Sequence, residues 1–161
     1  MTDWNLYKDI HPDFIDTDKA INILNDSLSG FKEKWDNFIR AEHHDYPKDR
    51  NDYIDIAEIA RNIRERILAG QTNDFNKFFD NLELILNNCK SDLQELLVIG
   101  LIEGIQNLCG GQNINYWTGF DIWLKPTTKK HWDNLIYSWE GKDAIERYKT
   151  EHPDNNGLLI L

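Results

Sequence analysis

The chain has 161 residues, of which six are tryptophan, and it carries a formal net charge of −10 at neutral pH. This length suits one domain with a sizeable core, and the excess of carboxylates disfavours binding to nucleic acid or anionic membranes. Acidity attracts basic proteins but also serves solubility alone, so both explanations of the charge stay open.

Two amphipathic helices are predicted near the N-terminus, because apolar residues recur there every three or four positions. The first spans residues 17–28, with Asp16 or Thr17 as its N-cap, and a Ser-Gly pair follows it. The second begins near Phe31 and ends before Asp45.

The next two helices have the clearest apolar faces of the sequence. The third begins with Asn51 or Asp52 as its cap and ends before Gly70, where a glycine typically terminates a helix. The fourth spans residues 74–87, with Thr72 as a plausible cap, and its phenylalanines and leucines share one face.

A fifth helix is predicted to lie at the centre of the protein. Ser91 and Gln94 form the pattern of a capping box, and residues 93–108 are apolar on nearly all sides. A helix of this kind is contacted by other helices around most of its circumference. The glycines at 110–111 end it.

Three shorter helices complete the predicted order. One lies near residues 115–124, the next begins at Pro126 and ends at Gly141, and the last spans about residues 143–150. No run of alternating β-branched residues predicts a strand. We therefore expect an all-α fold of six to eight helices in antiparallel pairs.

The whole chain, residues 1–161, is interpreted as one helical domain, since no linker or low-complexity tract divides it. Within it we distinguish N-terminal helices (1–50), a core (51–141), and a C-terminal helix with a tail (142–161). Secretory and membrane-spanning segments are not evident, and Cys89 and Cys109 lack the spacing of a zinc site. These features predict a cytoplasmic protein.

A metal-dependent phosphohydrolase is the enzymatic alternative. His44 and Asp45 form a His-Asp pair, and His11 with Asp121 or Asp133 would complete a set of ligands that activates water on a divalent ion. A two-residue match arises easily by chance, and a histidine near a helix end also complements the helix dipole. We accordingly predict no catalytic residue, no metal site and no cofactor.

The fifth helix contains polar and small residues with two interpretations each. Glu103 falls in one polar arc with Gln106 and Asn107, so it either faces solvent or forms a hydrogen bond to a neighbouring helix. Gly100 and Gly104 lie on one face, where the close approach of another helix would compensate the low helix propensity of glycine.

Tryptophans crowd the C-terminal third of the chain at positions 117, 123, 132 and 139. We expect most of them in the core, with one or two available as anchors of a protein interface.

A sequence pattern in this region resembles a family of small acidic bacterial proteins of unassigned function. It consists of Gly-Leu-Ile-Glu-Gly-Ile-Gln-Asn at 100–107, Leu-Lys-Pro at 124–126, and Trp-x-x-Leu-x-x-x-Trp-x-Gly at 132–141. The resemblance covers residues 53–141. The residues that carry it, called the signature residues below, are Gly100, Glu103, Gln106, Asn107, Pro126, Trp132 and Trp139.

Members of this kind look like immunity proteins of bacterial toxin systems, including contact-dependent growth inhibition. The resemblance implies a protein that is not an enzyme and that binds a cognate toxin domain, plausibly a basic nuclease, and occludes its active site. A protein-binding adaptor without a toxin is a further alternative. The contact surface we predict is the acidic, tyrosine-bearing segment that contains Asp45, Tyr46, Asp49, Asp52, Tyr53 and Asp55.

Overall fold

Seven helices form the described part of the chain, which comprises residues 14–46 and 48–161 of a computed structural model. In chain order they are α1 (Thr17–Asp26), α2 (Phe31–Glu42), α3 (Asp52–Leu68), α4 (Phe75–Leu86), the composite helix α5, α6 (Pro126–Glu140) and α7 (Ala144–Glu151). One isolated bridge between Ile114 and Ile160 is the only β-type pairing of these residues. The all-α prediction is therefore confirmed.

Helix α5 changes its geometry along its length. An α-helical turn, Ser91–Glu95, leads into a π-helical segment, Leu96–Ile102, and an α-helical segment, Glu103–Cys109, ends the element. Long π-helical segments are rare, and single π turns often occur near functional sites. None of the helices in residues 14–46 and 48–161 combines the length and apolar character that crossing a membrane requires.

Helices α3 and α5 pack against each other at the centre of the fold. Gly100 and Gly104 face α3, since a β-carbon on them would lie 3.2 Å from Cγ2 of Ile56 and 3.5 Å from Cβ of Ala60, respectively. The predicted close approach of a second helix is confirmed. The interpretation of α5 as a central helix also agrees with the complete burial of Leu97.

Aromatic side chains fill the space between α4, α6 and the segment that precedes α6. Phe79 contacts the rings of Phe120, Trp123 and Trp132 at centroid distances of 6.0, 6.3 and 6.5 Å. Trp132 is fully buried, and its indole N–H donates a hydrogen bond of 2.8 Å to the carbonyl oxygen of Tyr116. Most of the C-terminal tryptophans thus belong to the core or its edge, as predicted.

Several helix ends follow the predicted capping chemistry. The Asp16 carboxylate accepts the Lys19 N–H at the start of α1, and the Asn51 side chain accepts the Ile54 N–H at the start of α3. Gly70 follows Ala69, the C-cap of α3, and has a positive φ of 69°, a helix-ending conformation that glycine adopts without strain.

Two predicted caps are wrong. Lys90, not Ser91, is the N-cap of α5 and Ser91 is its first helical residue, so no capping box forms, and the Gln94 amide lies 3.3 Å from Nε2 of His131. Asp74, not Thr72, precedes α4, and its carboxylate accepts the Ser29 N–H instead of capping the helix.

The segment predicted as a short helix near 115–124 forms consecutive turns instead. The Asn115 side chain accepts the Thr118 N–H and donates to the Thr118 hydroxyl, a local pattern that competes with a regular helix. The C-terminal tail lies across these turns, since Asn115 N–H donates to the carbonyl of Leu159. Gly119 makes this approach possible, because an added β-carbon would lie 2.8 Å from the carbonyl oxygen of Leu158.

Candidate functional site

An open acidic groove lies between the N-terminal ends of α3 and α5. Its cavity measures about 360 Å³, and it is lined by Thr17, Asp52, Tyr53, Lys90, Asp92, Glu95 and Leu96. The lining contains three carboxylates and one ammonium group. Lys90 lies 3.6 Å from Asp92 and Arg50 lies 3.5 Å from Asp52, so Glu95 is the groove carboxylate that forms no ion pair with the described residues. Tyr53 and the adjacent Ile54 are 48% and 45% exposed, so apolar surface borders the carboxylates. The predicted residues Asp52 and Tyr53 therefore share a concave acidic surface with α5.

The loop between α2 and α3 is held together by Asp49. Its carboxylate accepts the backbone N–H groups of His44 and Asp45 at 2.6 and 3.0 Å. The hydrogen bond from Asp45 contributes most to the lowered pKa of Asp49, although burial opposes it. Asp49 thus fixes the loop backbone, whereas Asp45 is exposed and forms an ion pair with Lys48 at 3.5 Å.

A buried histidine–aspartate pair lies beneath this loop. Nε2 of His43 lies 2.6 Å from Oδ1 of Asp55, and Nδ1 of His43 lies 3.1 Å from the carbonyl oxygen of Asp49. The carbonyl oxygen of Asp49 can only accept a hydrogen bond, so Nδ1 of His43 must carry the hydrogen of that contact. The hydrogen bond between Nε2 of His43 and Oδ1 of Asp55 then needs a second proton, carried by one of these two atoms.

Burial places Asp55 beneath the predicted contact surface. Its side chain is fully buried, so Asp55 is removed from the residues that can contact a partner directly. Burial raises the pKa of Asp55, whereas the hydrogen bond with Asp55 raises the pKa of His43. The pair connects the end of α2 to the first turn of α3.

Tyr46 and Arg50 complete this region. The Arg50 guanidinium lies 5.6 Å from the centroid of the Tyr46 ring and forms ion pairs with Asp18 and Asp52. Burial raises the pKa of Tyr46. Tyr46 is therefore partly covered, and Tyr53 is the tyrosine of the segment that is most accessible to a partner.

The proposed metal ligands are not brought together in the described residues. Asp121 and Asp133 both bind the ammonium group of Lys129 at 3.0 Å, and the His44–Asp45 pair belongs to the loop after α2. His11 lies outside the described residues. Across residues 14–46 and 48–161, no group of three or more potential ligands could hold a metal ion.

A second concave surface, called the aromatic pocket below, lies at the C-terminal ends of α5 and α6. Its cavity measures about 190 Å³, and it is lined by Gln106, Asn107, Gly110, Tyr116, Ile136, Trp139 and Glu140. Trp139 is 71% exposed. It is therefore the tryptophan that fits the predicted role of an interface anchor.

The signature residues divide between packing and this pocket. Gln106, Asn107 and Trp139 all line the pocket, and Gln106 is also buried and donates a hydrogen bond of 3.0 Å to the carbonyl of Trp132. The Glu103 side chain is partly exposed and forms no hydrogen bond with the described residues, so Glu103 fits the solvent-facing interpretation of the polar arc, whereas Gln106 of the same arc is buried. Pro126 occupies the first turn of α6.

The chain shows one family match. Residues 21–140 match a family described as a domain of unknown function, DUF7674. The chain belongs to this family. No curated protein and no solved structure matches the chain.

The extent of the match places both concave surfaces in the DUF7674 region, apart from the edge of the acidic groove at Thr17. It also includes most of α1 and all of α2, which lie in the N-terminal segment 1–50 that the sequence resemblance left out.

Two features of these sites were missed by sequence reasoning. His43 and Asp55 are twelve positions apart, and no local pattern relates them. Glu140 follows Trp139 directly, but its partners Tyr116 and Trp117 come from the turns before α6, so only the tertiary structure reveals the contact.

Proposed function

We propose that this protein binds a basic protein domain through the acidic groove and neutralises it, as an immunity protein does with a bacterial toxin. The observation that carries the proposal is the groove itself, which Asp52, Asp92 and Glu95 line together with the exposed Tyr53. The toxin class follows from the sequence resemblance of residues 53–141.

The composition of the groove suits a protein partner. Exposed aromatic and aliphatic side chains supply apolar contact area, and surrounding carboxylates supply orientation and fast association. Tyr53 and Ile54 have these apolar roles at the start of α3. The buried pair of His43 and Asp55 keeps this helix start in place before binding, which lowers the entropy lost on association.

A nuclease toxin fits the charge of the groove. Nucleases bind the phosphates of their substrates with basic side chains, and carboxylates at similar spacing compete for those side chains. Inhibition by occlusion requires no chemistry from the inhibitor. Glu95 would meet basic residues of the toxin directly, Asp52 and Asp92 would exchange their partners Arg50 and Lys90 for them, and the bound protein would exclude the substrate.

The test begins with capture of the partner. The tagged protein is co-expressed with the product of the adjacent open reading frame, purified and analysed by mass spectrometry. We expect one basic domain in equimolar amount, and inhibition of that domain's activity by the purified protein. Recovery of a well-folded protein with no bound partner would refute the proposal.

The groove is then tested by charge neutralisation. A variant with Asp52→Asn, Asp92→Asn and Glu95→Gln removes the three carboxylates of the groove without reversing charge at the starts of α3 and α5. We expect an association rate reduced by about tenfold at low salt and a weaker salt dependence. Asp49 is kept, because its carboxylate holds the loop backbone.

A matched control removes the same number of charges elsewhere. Asp26→Asn, Glu33→Gln and Asp154→Asn also alter exposed carboxylates and leave the two variants with equal net charge. Equal association rates in the groove variant and the control would assign the effect to net charge alone and would exclude the groove as the contact surface.

A further inference from the structure

The carboxylate of Glu140 is held in place by aromatic residues and not by a cation. The Tyr116 hydroxyl donates to it at 3.2 Å, and the indole N–H of Trp117 donates to Oε2 at 3.0 Å. Trp117 is stacked between the rings of Tyr116 and Tyr148 at 4.0 and 4.3 Å, so these donors are themselves fixed. The carboxylate is therefore oriented before any ligand arrives.

Arg147 approaches Glu140 but is engaged by other groups. Its guanidinium donates to the backbone carbonyl of Glu140 and forms an ion pair of 2.8 Å with Asp143. Among the described residues no lysine, arginine or histidine forms an ion pair with the Glu140 carboxylate. Burial and the neighbouring Glu140 carboxylate raise the pKa of Tyr116, so its hydroxyl keeps the proton that it donates.

Trp139 provides an aromatic face beside this carboxylate. It lines the same pocket, is 71% exposed, and packs against no other aromatic ring in the part of the chain that the structure describes. An exposed indole face beside an oriented carboxylate offers a cation both stacking and charge-assisted hydrogen bonds.

We propose that the aromatic pocket receives an arginine side chain of a partner protein, with the guanidinium between Trp139 and Glu140. A planar guanidinium stacks on an indole and donates in its own plane to a carboxylate, whereas an ammonium group is a point charge. Asn107, at the rim, adds an amide oxygen that accepts from the same group. The net charge of −10 favours a basic protein as the source.

This inference goes beyond the acidic groove, because the pocket lies at the other end of α5 and its test needs no cognate partner. The probe is N-acetyl-arginine amide, which presents the side chain as a protein would. The indole N–H resonances of Trp139 and Trp117, assigned from Trp139→Phe and Trp117→Phe spectra, report binding. We expect both resonances to shift with saturation in the millimolar range.

Two comparison ligands define the chemistry. N-acetyl-citrulline amide has the same shape without the charge, and we expect no saturable shift from it. N-acetyl-lysine amide should bind more weakly than the arginine probe. Equal shifts with the citrulline probe, or no saturable shift with the arginine probe, would overturn the proposal. Tighter binding of free arginine than of the blocked form would indicate a metabolite site and would also overturn it.

Two variants assign the site. Glu140→Gln keeps an acceptor for Tyr116 and Trp117 but removes the charge, and we expect binding at least about tenfold weaker. Glu33→Gln removes an exposed carboxylate from α2 and should leave binding unchanged. Unchanged binding in Glu140→Gln, with a wild-type melting temperature, would show that the carboxylate is not the recognition group.

Discussion

Gly119 lies where the C-terminal tail crosses the turns that precede α6. A β-carbon at this position would lie 2.4 Å from the carbonyl oxygen of Asn115, 2.8 Å from that of Leu158 and 2.9 Å from Cα of Leu159. All three atoms belong to the backbone, so no rotamer change relieves the overlap. The substitution Gly119→Ala therefore requires the tail or the turn to move.

The cost of this movement follows from the contacts it breaks. The tail is held by hydrogen bonds from Asn115 N–H to Leu159, from Leu161 N–H to Asn113, and from Gly157 N–H to the Thr118 hydroxyl. A net value of about 1 kcal/mol for each such bond gives a loss of about 3 kcal/mol. Overpacking of a tight site costs a similar amount, typically about 1–3 kcal/mol.

The assay is thermal unfolding of the full chain followed by circular dichroism. A loss of about 3 kcal/mol corresponds to a melting temperature lowered by about 6–12 °C for a domain of this size. Gly111→Ala is the matched control, because no atom lies within 4 Å of its added β-carbon. A melting temperature of Gly119→Ala within about 2 °C of the wild type would refute the packing argument.

Three further predictions concern stability. Gly104→Ala should raise the free energy of unfolding by up to about 1 kcal/mol, measured by urea titration, because its β-carbon meets Cβ of Ala60 at an ordinary 3.5 Å and alanine favours the helix. Glu83→Ala should destabilise the protein by about 1–2 kcal/mol in the same assay, since the Glu83 carboxylate accepts two backbone N–H groups at the start of α6. The hydrogen bond with Asp55 raises the pKa of His43 above its ordinary value of 6.5. The pair therefore adds to the free energy of unfolding below pH 6.5, and this contribution is lost as the pH rises through the raised pKa. His43→Gln should remove that decrease from a denaturation series between pH 6 and pH 9, and an unchanged pH profile would contradict the assignment.

The periodicity of apolar residues was sufficient to predict the helices, because the residues that face the core recur every three or four positions along the sequence. For the α3 helix, Asp52–Leu68, the sequence predicts a cap at Asn51 or Asp52, of which the structure has Asn51, and a terminator at Gly70, and both act within a few residues of the chain. Pro126 at the start of α6 and Gly141 after its end were predicted for the same reason. Local chemistry determines these positions.

Features that depend on distant contacts were not predictable in this way. The π-helical segment Leu96–Ile102 has the apolar composition of a buried α-helix, and its i→i+5 hydrogen bonding leaves no mark in that composition. The turns around Gly119 were interpreted as a helix because the crossing tail is more than thirty residues away in sequence. Burial of Asp55 depends on His43 of another helix end.

The acidic groove and the aromatic pocket lie at opposite ends of α5, and their contributions to binding can be separated. Glu95 and Asn107 are twelve positions apart, which corresponds to roughly 18 Å at the rise of an α-helix. A standard interface covers about 800 Å² on each partner, which is wide enough to include both sites. Residues this far apart contribute additively when both contact the same partner.

Affinities for the purified cognate partner, measured with Glu95→Gln, Glu140→Gln and the double variant, therefore show whether that partner contacts both sites or only one of them. Additive losses of affinity would place both sites under one partner. Loss from Glu95→Gln alone, together with retained binding of N-acetyl-arginine amide, would assign the pocket to a second protein. Loss from Glu140→Gln alone would move the inhibitory surface from the groove to the pocket, where the exposed indole of Trp139 is the anchor.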